Sequence, residues 1–273
     1  MQASSRWAPP GGTLGRIVAE AEHRARALEA RASELDAAAA RTSAGPSLEQ
    51  ALRAAPGVAL LAEVKRRSPS KGAIAELLDA VQQARAYHAA GASAVSILTE
   101  PEHFGGSVQD LLDVRAALTI PALKKDFHVA PIQLVEARAL GASAALVIAR
   151  AVSPERLDEL LLLGRTLKLE LLVEVRDEEE LERALAGGAT MVGVNNRNLE
   201  TLEIDPATSD RIVPLIPAGL VAIAESGVRT RADVERYAAV GTDAVLVGSV
   251  LSASGDVSGA ARELTGVARR ARG

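Results

Sequence analysis

Two lysines, three glutamates and an asparagine stand at the ends of runs that are otherwise apolar. Glu63 and Lys65 lie at the end of 58–64, Lys125 closes 121–125, Glu174 closes 169–174, Asn195 closes 192–195 and Glu225 closes 220–225. A strand that is apolar throughout is buried on both faces. A charge at its tip needs a partner or a function. A lysine held among carboxylates can donate a proton or form a Schiff base. A carboxylate at an apolar rim, such as Glu174, is a candidate general base whose pKa is open to tuning by burial and by neighbouring lysines.

Spacing refines part of this. Glu63 and Lys65 are two apart and share one strand face. In LKKDF (123–127) the same period puts Leu123 and Lys125 on one face and Lys124 on the other, and does not say which lysine enters a site. Asn195 can orient a polar group, and Arg197 offers a planar fork for carboxylate or phosphate. AESG (224–227) and VGS (247–249) are small enough for backbone N–H groups to approach an anion. Ser226, Gly227, Gly248 and Ser249 are thus expected to form a split phosphate cup. Arg66, Arg67 and Lys71 read as solvated loop charges.

These residues need a scaffold that gathers strand ends. Strands are expected at 58–64, 94–99, 121–125, 144–149, 169–175, 191–195, 220–224 and 244–247. Helices are expected at 74–89, 107–117, 131–139, 154–167, 177–186, 206–212, 231–240 and 256–271. Strict alternation implies a parallel sheet with right-handed crossovers. A Gly-Ala-Ser-Ala-Val type motif recurs at Gly91, Gly141, Gly188 and Gly241, each placed to end a helix before an even-numbered strand. The expected fold class is therefore α/β, a (β/α)8 TIM barrel whose chemistry sits at the carboxyl ends of its strands. A doubly wound sheet would want a Gly-rich fingerprint after the first strand, and the chain has none there. Residues 13–41 read as one or two helices packed on the barrel, and the polar, Pro- and Gly-rich residues 1–12 as frayed. The expected division is 1–50 for this helical extension and 51–273 for the catalytic barrel.

Composition narrows the function. Of 273 residues, 48% are hydrophobic but only 2% aromatic, so aliphatic side chains must fill the interior. A net charge of −4 suggests no cationic surface for nucleic acid or an anionic membrane. Without cysteine there is no disulfide, thiolate nucleophile or Cys-ligated metal, and the four histidines form no ligand spacing. No apolar run approaches the roughly 18 residues of a membrane span, and residues 1–15 lack a signal-peptide core. The expectation is a cytoplasmic monomer acting on a small molecule, with no metal.

Seven fragments together carry a resemblance. AEVKRRSPSKG (62–72), HFGGS (103–107), LKKDF, LLVEVRD (171–177), VNNRNLETLEI (194–204), AESG and VGS occur in that order. Over about 60–251 the chain closely resembles the indole-3-glycerol phosphate synthase family. The resemblance implies ring closure, decarboxylation and dehydration of 1-(2-carboxyphenylamino)-1-deoxyribulose 5-phosphate in the tryptophan pathway. It implies that Lys125 is the general acid, Glu174 the general base and Lys65 a substrate-binding lysine that also has a proton to give. Glu63, Asn195 and Glu225 would position substrate and lysines. Phe104, Phe127 and Leu199 would wall the aromatic ring. Ser68 and Arg197 would lie near the substrate's anionic groups, and the cup residues would take phosphate. No step of that reaction needs a cofactor. The chain departs from the family at VLSASGDVSGA (250–260) and matches it only loosely over 1–41. The rivals are another phosphosugar barrel enzyme, an isomerase or a Schiff-base aldolase, and an inactive phosphosugar-binding barrel. The isomerase would want a Cys/Asp pair, which this chain cannot supply.

Overall fold

The computed structural model describes residues 7–272. Eight parallel strands close into one barrel. They are β1 (Ala59–Val64), β2 (Ala94–Leu98), β3 (Ala122–Lys125), β4 (Ala144–Ile148), β5 (Glu170–Val175), β6 (Met191–Asn195), β7 (Val221–Glu225) and β8 (Ala244–Val247). Each pairs with its neighbour in sequence, and β1 also pairs with β8. The strands are buried almost throughout, as their unbroken aliphatic character requires. The TIM-barrel expectation is met.

Most of the helices between the strands begin on side-chain caps. Asp79, Ser107, Ser153, Asp177 and Thr230 each accept backbone N–H bonds at a first turn. Gly91, Gly141, Gly188 and Gly241, the repeat positions, all have positive φ and turn the chain into the next strand.

Two helix boundaries differ from expectation. The helix expected at 74–89 begins only at Ala80, because Ile74 and Ala75 N–H groups bond to Arg66 O and fold 66–75 into a small hairpin. The helix expected at 256–271 is Val257–Glu263. Gly266 has φ +71 and the tail turns back, where Val58 N–H bonds to Val267 O. Arg66 is also not a solvated charge. It is half-buried, ion-paired with Asp110 and donates to Leu78 O and Gly105 O.

The amino-terminal segment forms α1 (Gly12–Glu29), α2 (Ala32–Arg41) and α3 (Leu48–Ala54). Leu35 and Ala39 of α2 pack on Ile132 and Val135 of the helix Pro131–Ala139. Of the segment expected to be frayed, residues 1–6 lie outside the described residues. Positions 8 and 11 are tied down: Arg150 donates to Ala8 O, and Gly11 N–H donates to Glu200 Oε1. Among the described residues no helix is long and apolar enough to cross a membrane.

Candidate active site

Every site residue expected from sequence lines one cavity of about 580 Å³ at the carboxyl ends of the strands. Period-two alternation on β3 turns Lys125 into that cavity and Lys124 out of it. Lys125 Nζ donates to Glu225 Oε2 on β7 at 2.8 Å and lies 3.7 Å from Glu174 Oε2 on β5. The cavity floor is thus a cation between two carboxylates contributed by strands remote in sequence.

Electrostatics set the protonation states. Burial alone would lower the Lys125 ammonium, but the charges of Glu225, Glu174 and Glu63 outweigh it and hold its pKa above the ordinary lysine value. Burial and the neighbouring Glu225 push the Glu174 carboxyl up to about 8, against the pull of Lys125 and of a 2.8 Å bond from Asn195 Nδ2. A carboxyl tuned near neutral pH suits a general base.

On β1, Glu63 is fully buried and its Oε1 lies 2.5 Å from Lys65 Nζ. The contact is an ion pair without hydrogen-bond geometry, since neither Glu63 oxygen has a hydrogen-bond donor. Lys65 is therefore held by charge at the cavity wall.

The walls are apolar. The chain has only two phenylalanines, and both Phe104 and Phe127 face the cavity with ring centroids 6.1 Å apart. Leu199 lies on the loop after β6. Thr13, Leu14 and Ile17 of α1 complete the lining, so the extension borders the mouth. Arg24 of α1 donates to Asp126 Oδ1 at 3.1 Å, and Thr13 N–H donates to Glu200 O.

Arg197 is folded onto its own loop, with Nη1 donating to Leu202 O at 2.7 Å and its N–H to Asn195 Oδ1. Ser68 lies in the hairpin after β1, where its Oγ accepts the Lys71 N–H. On the rim between those two loops, after β7, Ser226 and Gly227 both have positive φ, 64° and 88°. A serine in the left-handed region is strained and points to a functional turn. Gly248 and Ser249 begin a short helix beside it.

Sequence reasoning missed three supporting residues. Asn196 is fully buried; its Nδ2 bonds to Glu225 O, Ser226 O and Tyr237 Oη, and its Oδ1 accepts from Ser209 N–H. It fixes the Ser226 turn to β6. Asp126, at the end of β3, accepts from Thr99 Oγ1 at 2.6 Å and pairs with Arg24 and Lys124. Gly193 interrupts the apolar β6, a glycine in a strand interior being the available signal of a close approach.

The histidines, unclustered in sequence, are not wholly so in space. His103 meets Glu20 at 2.6 Å near Glu100. Both Glu100 oxygens already accept backbone N–H bonds that cap the helix Pro101–Phe104, so this group reads as a structural tie.

The family described as indole-3-glycerol phosphate synthase matches residues 14–264. The chain is 49% identical over 227 residues to an indole-3-glycerol phosphate synthase of Mycobacteroides abscessus, covering 83% of this chain and 84% of the relative. It is 48% identical over 241 residues to that of Rhodococcus jostii, covering 87% and 90%. Among solved structures, a 3-hexulose-6-phosphate synthase from Salmonella typhimurium is similar with a TM-score of 0.60 at 14% identity, over 76% of this chain and 96% of that one. That likeness concerns the fold alone.

Proposed function

The chain belongs to the indole-3-glycerol phosphate synthase family, and from that premise we propose how its residues divide the chemistry. The substrate is 1-(2-carboxyphenylamino)-1-deoxyribulose 5-phosphate. Its phosphate sits over Ser226, Gly227, Gly248 and Ser249, where small residues and turned backbone leave room for an anion. The aryl ring lies between Phe104, Phe127 and Leu199. Lys65, Ser68 and Arg197 face its anionic groups.

Ring closure joins the aryl carbon that bears the carboxylate to the ketone carbon. Lys125, kept charged by its carboxylate neighbours, protonates the alkoxide that forms. Loss of carbon dioxide restores the aromatic ring. Dehydration then expels the hydroxyl made in the first step, with a lysine as acid and Glu174 as the base that removes the last proton. Glu225 and Asn195 hold Lys125 and Glu174 in place. Each positioned acid or base contributes on the order of 100- to 10,000-fold.

The observation that carries this reading is the Lys125 ammonium lodged between Glu225 and Glu174 at the floor of an apolar-walled cavity. The test is to mix purified protein with the substrate and follow indole fluorescence. A rise that disappears in Lys125→Ala supports reaction, substrate and acid together. Binding without a rise would replace this reading with a binding barrel or a different phosphosugar substrate.

A further inference from the structure

We propose that Gly193, in the middle of β6, is a positioning residue for Lys125: the space left by its missing side chain is where the Glu225 carboxylate lies. The role assigned to Lys125 rests on the function proposed above; the steric relationship does not.

A Cβ placed on Gly193 would fall 2.1 Å from Glu225 Oε1 and 3.2 Å from its Cδ. The next neighbour, Leu172 Cδ1, is at 3.4 Å, an ordinary contact. The glycine is not needed for backbone conformation, because Gly193 is absent from the positive-φ residues. Glycine inside a strand is unfavourable without such a need, which leaves close approach as its reason. The register agrees. Gly193 pairs with Glu174 on one side and Ile223 on the other, so it lies between the strands carrying the two carboxylates.

The Glu225 carboxylate is defined from two sides. Oε2 accepts from Lys125 Nζ at 2.8 Å, while Oε1 has no hydrogen-bond partner and rests in the Gly193 hollow. The three atoms nearest such a methyl group all belong to side chains, and only those of Glu225 lie closer than ordinary contact. The fold can absorb it by swinging Glu225 away, and that swing removes the partner of Lys125. The relationship occurs twice. A Cβ on Gly248 would fall 2.3 Å from Oε1 of Glu63, the carboxylate paired with Lys65. In both cases the carboxylate lies over a glycine contributed by the preceding strand of the barrel or its end, β6 for β7 and β8 for β1.

The test reads the lysine directly as well as turnover. Lys125 faces Glu225, Glu174 and Glu63. Its acylation by acetic anhydride is followed by mass spectrometry at about pH 9, where a lysine released from a carboxylate has more neutral amine. Gly193→Ala is expected to raise Lys125 labelling roughly tenfold and to lower kcat about 100-fold. In a Glu225→Ala background, where no carboxylate remains to be displaced, adding Gly193→Ala should change labelling and residual turnover by less than about twofold. Wild-type labelling and turnover in Gly193→Ala would overturn the proposal. So would an equal loss in the Glu225→Ala background. If Gly193→Ala fails to fold, a folded Gly193→Ala/Glu225→Ala protein supports the steric relationship, and an unfolded one overturns it. If the wild type makes no indole product while labelling still responds only when Glu225 is present, the positioning claim stands and the functional reading falls.

Discussion

Lys124 and Lys125 are consecutive residues on opposite sides of the barrel wall. Lys125 Nζ is inside, 2.8 Å from Glu225 Oε2. Lys124 Nζ is behind β3, 3.1 Å from Glu136 Oε2 and 3.5 Å from Asp126 Oδ2, and is almost wholly buried. Strand alternation gives neighbouring identical side chains two different tasks.

Substituting the two should therefore give opposite phenotypes. Lys125→Ala is expected to stay folded, because Glu174, already pushed up to about 8, can take a proton when the cation is lost, and to lose turnover by on the order of 100- to 10,000-fold. Lys124→Met takes the buried cation from Glu136 and Asp126, and because Asp126 keeps Arg24 the cost should be about 3 kcal/mol of stability. Urea unfolding and steady-state kinetics on both variants separate the effects. A stable, inactive Lys124→Met would reverse the assignment of sides.

Glu174 should give activity and stability opposite responses to pH. Its carboxyl is pushed up to about 8, first by burial and then by Glu225. A base must be ionised to act, so kcat should rise with pH through about 8, and Glu174→Gln should lose both the rate and that rise. For stability the sign is reversed. The folded pKa lies above the ordinary value of 4.5, so the folded protein holds a proton the unfolded chain has released. That contribution is complete below 4.5 and lost as pH rises through about 8. The Tm of Glu174→Gln should thus gain on the wild type between those limits. A Tm difference independent of pH would contradict the raised pKa.

What sequence could disclose here depended on periodicity and on rarity. Unbroken aliphatic runs identify the buried strands, and a charge at the end of such a run is conspicuous. The phenylalanines stand out because there are only two. Contacts made across the barrel leave no such mark. Nothing near Gly193 in sequence names Glu225, and nothing near Asp126 names Arg24, 102 positions away. The helix expected from Ile74 starts later because the Ile74 and Ala75 N–H groups bond back to Arg66 O, a pairing that helical periodicity does not display. Arg66, expected to be solvated, finds its partner Asp110 44 positions away in the first turn of the helix Val108–Ala117.

His128 should stay neutral well into acid. Its ring is buried; Nδ1 donates to Leu146 O at 2.6 Å, and Nε2 lies 3.3 Å from Lys124 Nζ and accepts from it. Burial, then the Lys124 charge, lowers its pKa to about 3, although Asp126 opposes them. The folded pKa is below the ordinary 6.5, so its contribution to stability is present above 6.5 and lost as pH falls toward 3. Nitrogen NMR should report the Nδ1–H neutral tautomer unchanged down to about pH 5. Titration of this ring near 6.5 would mean that the cluster behind β3 is open to water.

The phosphate cup is tested by putting charge at its edge. Ser249 is the first residue of the helix Ser249–Ser252 and faces the turn in which Ser226 and Gly227 take positive φ. Ser249→Asp would set a carboxylate against a dianion that stays in place while the reacting carbons change. An interaction equal in ground and transition states alters KM and leaves kcat largely untouched. KM should rise at least about tenfold, and inorganic phosphate should inhibit the variant more weakly than the wild type, with the difference shrinking as salt screens the repulsion. An unchanged KM would move the phosphate elsewhere on the rim. A fall in kcat alone would mean that Ser249 acts on the reacting atoms and not on the anion.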